Sequence, residues 1–176
     1  MTSRAVLYIV RVTLIPFKNL HCPYIYLYDM IYVNFQVMRC GLFIHKTVQF
    51  LAASPDGIIE CDCCGRGVLE LKCPFCIKDD DATVSILKYL TQKTSDNLKL
   101  KEEHLYYYQC QAQMLCTQTE FADFFVWSPN SSHLERITKH NVICKRIMMS
   151  SISFFRDSII PELLGRYYTK KKNASI

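Results

Sequence analysis

The sequence predicts an α/β domain, a central mixed sheet flanked by helices, from three observations. Short apolar runs punctuated by Gly, Pro and Asp fill residues 41–72 and 121–138, the pattern of strands and hairpins. A helix-period stretch over 103–118 lies between them, and a second over 142–166 follows. Strands and helices interleaved in this way pack as layers around one core. The length of 176 residues fits one domain, and 50% hydrophobic residues suffice for a sizeable core.

Composition excludes some function classes. The formal charge of +5 is uneven: before Asp56 there are five Lys or Arg and one acid, from Asp56 onward sixteen against fifteen. A global basic charge is therefore no argument for nucleic-acid binding. Ten cysteines would suit a secreted disulfide scaffold. Leu7–Val10, however, is a short apolar run broken by Arg11 with no small-residue cleavage pattern, and no apolar run reaches the roughly 18 residues of a membrane span. The expectation is a chain with reduced thiols in the cytoplasm or nucleus, neither secreted nor associated with a membrane.

Taken in order, residues 1–40 favour strand over helix by composition, with Tyr24, Tyr26, Tyr28, Tyr32 and Phe35 among Ile25, Leu27, Ile31 and Val33. Gly41–Ile44 and Val48–Leu51 then read as strands or a tight hairpin either side of His45, a loop residue. The stretch Ser54-Pro55-Asp56-Gly57-Ile58-Ile59, followed by Gly67 to Pro74, reads as one hairpin with arms 56–62 and 66–72. If its paired positions sum to about 127, Asp56 lies beside Glu70 and Lys72, which share a strand face at i, i+2.

Two carboxylates meeting a lysine have a chemical use. Converging acids repel unless a positive charge lies between them, and oxygen-only ligands select a hard cation, Mg2+ or Mn2+. The Leu71 carbonyl can add a third oxygen. Lys72 is then placed to orient or deprotonate an attacking water while the metal neutralises charge on a phosphate oxygen. On spacing alone, the plainer reading comes first: Asp56-Gly57 is an ordinary turn, and Glu70 with Lys72 a solvated strand face.

The fuller text is more specific. Pro55-Asp56, thirteen residues, then Glu70-Leu71-Lys72 resembles the PD-(D/E)XK nuclease signature. With LAASPDGII, CCGRGVLELKCP, YYYQCQAQM and FADFFVWSP, the chain is similar to the YqaJ viral recombinase family, relatives of the phage lambda exonuclease, over roughly residues 41 to 166. The resemblance implies a restriction-endonuclease-like core and a metal-dependent DNA nuclease, an exonuclease acting in recombination or in viral and mobile-element DNA processing. Its implied partner is DNA, as linear duplex ends. Asp56, Glu70, Lys72 and Gln109 carry the catalytic roles, Asp56, Glu70 and the Leu71 carbonyl hold the metal, and Ser54, Tyr106 and Gln113 contact substrate. Lambda exonuclease relatives are ring-shaped trimers, so a homo-oligomer follows here by analogy alone.

Family members also carry, upstream, a helical acid near the metal and an arginine for the terminal phosphate. Residues 1–40 match neither, and Asp29 is their only acid. The segment is either a divergent face of the fold or sequence foreign to the ancestral domain. The alternative function is accordingly a nuclease-fold module that binds DNA or protein without cutting.

Cys61, Cys63, Cys64, Cys73 and Cys76 suggest zinc, but the hairpin puts the first three at its tip and Cys73 beyond its base, roughly 20 Å away at about 3.3 Å per residue. One tetrahedral zinc does not span that distance, so structural zinc is not expected and the cysteines read as small thiols. Asp81 suits an N-cap for a helix over 82–90, and 91–103 reads as loop or surface strand.

On the helix over 103–118, Leu105, Tyr108, Ala112 and Leu115 form the expected core face, and Tyr106, Gln109 and Gln113 the neighbouring one. Two glutamines in such a row suit a cleft lined with phosphate and water, or simply a polar shoulder. Phe121–Trp127 reads as a strand buried on both faces with Trp127 as packing, and His133–Thr138 as its outer neighbour. The helix over 142–166 turns Ile143, Ile147, Ile152, Phe155 and Ile159 inward, with Pro161 a kink or break, and 167–176 is a basic tail around Lys170–Lys172, expected to be disordered.

Overall fold

The computed structural model describes residues 34–73, 99–127 and 132–170. Asp29, Cys76, Asp81 with the helix over 82–90, Lys171 and Lys172 lie outside the described residues. Among the described residues the main sheet has five strands in the order β1 (Gln36–Met38), β4 (Gly57–Cys61), β5 (Gly65–Lys72), β6 (Phe121–Trp127) and β7 (Ser132–Thr138). Among these strands β5 and β6 pair in parallel and the other neighbours are antiparallel, so the sheet is mixed. A parallel pair needs a crossover, and helix α1 (Leu105–Thr117) lies on that connection.

β2 (Phe43–Ile44) and β3 (Ala52–Ala53) form a separate two-stranded ribbon. The expected strand over Val48–Leu51 is displaced by one turn of chain: the Nδ1 of His45 accepts from the backbone of Thr47 and Val48, which curls that run into the loop. The hairpin β4–β5 closes one residue tighter than expected, with Gly57 facing Leu69 and Cys61 facing Gly65. Gly65 ends the turn at φ +74°, a conformation that favours glycine. At Gly67 a Cβ would stand 2.1 Å from the Phe121 ring, so the ring requires a bare backbone there.

Alternation along the strands sorts the sheet into two faces. Ile58, Val68, Ala122, Phe124 and Val126 pack toward α1 and toward α2 (Asn141–Phe154), which adds Ile143 and Ile147. Ile59, Leu69, Phe121 and Phe125 form the core on the other face, with Leu71 and Trp127 packed against it. On that face Asp123 is completely buried, and Arg136 grips it with two parallel hydrogen bonds of 2.7 and 2.8 Å. The same guanidinium lies 4.0 Å above the Phe121 ring.

The core face assigned to α1 needs correction. Leu105 is 59% exposed, while Cys110, Gln111, Gln113 and Met114 have no accessible surface. The helix is covered by the sheet on one side and α2 on another, so its buried arc is wider than one apolar stripe and takes in polar side chains. Gln111 fills the second contact: its amide donates to the Thr138 carbonyl at 3.0 Å and its oxygen accepts from His140 N–H at 2.8 Å. His104 and His140 cap α1 and α2 by accepting from Tyr106 and Ile143 N–H.

The last helix is interrupted just ahead of Pro161, where a kink or break was expected. A π-helical turn, Phe155–Ile159, precedes α3 (Ile160–Gly165), placing Pro161 in a first turn where its missing N–H costs nothing. Phe155 stacks on Phe50 at 4.1 Å. Tyr167–Lys170, expected to begin a disordered tail, forms a short helix α4, tied back by Glu162, which accepts from Tyr168 N–H and the Thr169 hydroxyl.

Candidate active site

The base of the β4–β5 hairpin, where β5 leaves its antiparallel partner, faces the first three turns of α1. Since Gly57 faces Leu69, the next pair outward sets Asp56 against Glu70, and both point to the α1 side with Ile58 and Val68. Asp56 is anchored twice to β5: its N–H donates to the Leu69 carbonyl at 3.0 Å, and its Oδ2 accepts from Leu71 N–H at 2.7 Å. Glu70 is only 2% exposed. Its Oε1 accepts from both Lys72 and the Gln109 amide, and its Oε2 from the Gln113 amide at 2.6 Å.

The structure therefore brings together Asp56, Glu70, Lys72, Gln109 and Gln113. Lys72 Nζ donates also to Gln109 Oε1 at 3.2 Å and lies 4.6 Å over the ring of Tyr106, which fixes the ammonium from three sides. Spacing at i, i+3, i+7 puts Tyr106, Gln109 and Gln113 along one edge of α1, and that edge meets the carboxylates. Ser54 reaches the group through its carbonyl, 3.4 Å from the Gln113 amide, while its hydroxyl is committed to the Gly41 carbonyl. Gln113 Oε1 is buried and has no hydrogen-bond partner.

Electrostatics set the two acids apart from ordinary surface carboxylates. Burial holds Glu70 above its usual value; Lys72 and Gln113 pull it down, and the neighbouring Asp56 pushes it further up. Burial raises Asp56 as well, against the Leu71 N–H and Lys72. Cys40 completes the rim: its thiol donates to the Pro55 carbonyl at 3.4 Å, and burial, then Asp56, push it up. Sequence reasoning missed Cys40, because nothing in its spacing to Asp56 signals that the chain returns there. Among the described residues no third acid or histidine joins Asp56 and Glu70.

At the far end of the same hairpin the sulfurs of Cys61, Cys63 and Cys64 come together, and Cys73 lies exposed beyond Lys72. Burial pushes the Cys61 thiol up, but hydrogen bonds from Cys64 and Cys63 outweigh it and bring it to about 7, while burial raises Cys64.

A mixed sheet whose central hairpin sets an aspartate against a Glu-x-Lys strand, with a crossover helix closing over both, defines a domain of the restriction-endonuclease-like class. Among solved structures, the chain is similar to an alkaline exonuclease, LHK-Exo, from Laribacter hongkongensis, at 23% identity and a TM-score of 0.57, over 84% of this chain and 70% of that one. LHK-Exo in complex with dAMP gives 24% identity and a TM-score of 0.58 over the same shares. These likenesses show a shared fold. None of the curated proteins matches the chain. The model of the YqaJ-like viral recombinase domain matches residues 31–120, just over half of the 176, and the chain belongs to that family.

Proposed function

We propose that this chain is a metal-dependent DNA nuclease, an exonuclease acting on linear duplex ends in recombination or viral-type DNA processing within the cytoplasm or nucleus. The observation that carries the reading is the buried encounter of Asp56 with Glu70, both driven above their usual values by burial. Two acids so placed are stabilised by a cation between them beyond what Lys72 supplies, and their donors are all oxygens, which suits Mg2+ or Mn2+. The unpartnered Gln113 Oε1 fits a further bound donor such as water. Leu71 offers a third ligand: its N–H points to Asp56, and in an extended strand the carbonyl of a residue points to the same neighbour as its N–H.

The metal would supply charge neutralisation at the phosphate. Asp56 and Glu70 would hold it, and Lys72, fixed by Glu70, Gln109 and Tyr106, orients the attacking water. Water adds to phosphorus, one P–O bond breaks, and the departing oxygen takes a proton. Gln109 positions Lys72 and Glu70 together, and Gln113 buttresses Glu70 from behind. Tyr106 and the Ser54 carbonyl border the space for substrate. A nucleotide product is consistent with the dAMP held by LHK-Exo. Ring-shaped trimers remain an analogy from the lambda exonuclease.

A second reading is favoured by one observation: among the described residues the site offers two acids only. A nuclease fold with an incomplete site would bind DNA or protein without cutting. Degradation of end-labelled linear duplex DNA with Mg2+, Mn2+ or EDTA separates the two. Metal-dependent loss of label, absent in Lys72→Ala, supports the enzyme; intact DNA with well-folded protein supports the binding module.

A further inference from the structure

We propose that the tip of the β4–β5 hairpin is a zinc site built by the thiolates of Cys61, Cys63 and Cys64, separate from the acidic centre at its base. The three sulfurs lie 2.7, 3.1 and 3.5 Å apart, so they already converge on one point. A Zn–S bond of about 2.3 Å in tetrahedral geometry separates ligand sulfurs by about 3.8 Å, so each would move outward by roughly half an ångström. That adjustment lies within side-chain rotation at a turn. Three soft donors and no carboxylate in the cluster select zinc over the hard cation expected at Asp56 and Glu70.

The surroundings are those of metal-bound thiolates. Cys61 Sγ accepts from the backbone N–H of Cys64 at 3.1 Å, and the Arg136 side chain hydrogen-bonds the Cys64 sulfur. Donors to sulfur orient thiolate ligands and offset their charge. Asp62 is not among the converging donors, and its Oδ2 is held aside by Asn34 at 2.6 Å. The fourth position falls to water: Cys63 is exposed, and a polar cleft edged by Asn34, Gln36, Glu60 and Arg66 opens beside Cys61. Cys73 is not needed, which removes the distance that argued against zinc from sequence. Binding releases the thiol protons and ties the turn into one chelate, clamped to β7 through Arg136.

The test reads metal, not nuclease activity, so it stands apart from the reading of the acidic site. Full-length protein purified under reducing conditions is dialysed and its zinc measured, beside Cys61→Ser/Cys64→Ser, Cys73→Ser and Asp56→Asn. The expected result is about one zinc per chain in the wild type, Cys73→Ser and Asp56→Asn, and at least a tenfold loss in the double variant. Zinc-free wild type, a Cys61–Cys64 disulfide in its place, or equal zinc in the double variant overturns the proposal. If the double variant does not fold, cobalt titration of the wild type decides. A thiolate-to-cobalt charge-transfer band saturating at one equivalent supports the site, and its absence overturns it.

Discussion

Glu70 and Asp123 are both buried carboxylates, one on β5 and one on the adjacent β6, facing opposite sides of the sheet. Their surroundings differ in one respect that decides what each is for. Asp123 faces a guanidinium that satisfies both its oxygens at 2.7 and 2.8 Å. Glu70 has a lysine and two glutamine amides, but also a second acid, so its charge remains disfavoured. A buried acid with a bidentate arginine is complete; a buried acid beside another acid keeps a raised value, the electrostatic setting on which the proposed metal site rests.

Removing the arginine should break the complete pair. Arg136→Met leaves Asp123 charged in the core, and a loss of about 3–5 kcal/mol in denaturant unfolding is expected. Replacing both partners, Arg136→Met with Asp123→Leu, should recover most of it; a double variant as unstable as the single one would refute the pairing. At the other carboxylate, Lys72→Ala should leave the fold intact and slow single-turnover DNA cleavage by about 10²–10³-fold.

Gln109→Ala should have a smaller effect, about tenfold in kcat with KM little changed, since Gln109 acts by positioning Lys72 and Glu70. The smallest effect concerns stability without metal. Asp56 and Glu70 both have raised values in the folded state, so the stability they contribute is fully present below their ordinary values of 3.8 and 4.5 and is lost as pH rises through the raised ones. In EDTA, Asp56→Asn should melt higher than the wild type at neutral pH, by roughly 2–4 °C for about 1 kcal/mol. That gap should close as pH falls toward about 4, and a gap that widens instead would reverse the sign assigned to burial.

Much of this centre was legible before any coordinates. Asp56, Glu70 and Lys72 follow from period-two alternation and the hairpin turn, and Gln109 and Gln113 from helical spacing. The face on which Gln113 lies was right, and its complete burial was not foreseen, because α1 is covered by two layers rather than one. For the same reason nothing in the helical spacing marks Gln111 as a structural clamp to the β7–α2 junction, and Leu105, in step with the apolar stripe, is exposed. Asp123 stood inside an apolar strand pattern with nothing to mark its partner, since the pairing of β6 with β7 alone brings Arg136 across. The thiol cluster was placed at the hairpin tip, but only side-chain positions show the three sulfurs converging.

The most direct test of the contrast is Mn2+ binding to the wild type, Asp56→Asn and Arg136→Lys, followed by the electron paramagnetic resonance of free Mn2+. A saturable site in the wild type and in Arg136→Lys, weakened at least tenfold in Asp56→Asn, is the predicted result. Equal binding by the wild type and Asp56→Asn would contradict the assignment of Asp56 and Glu70 as the carboxylates that hold the metal.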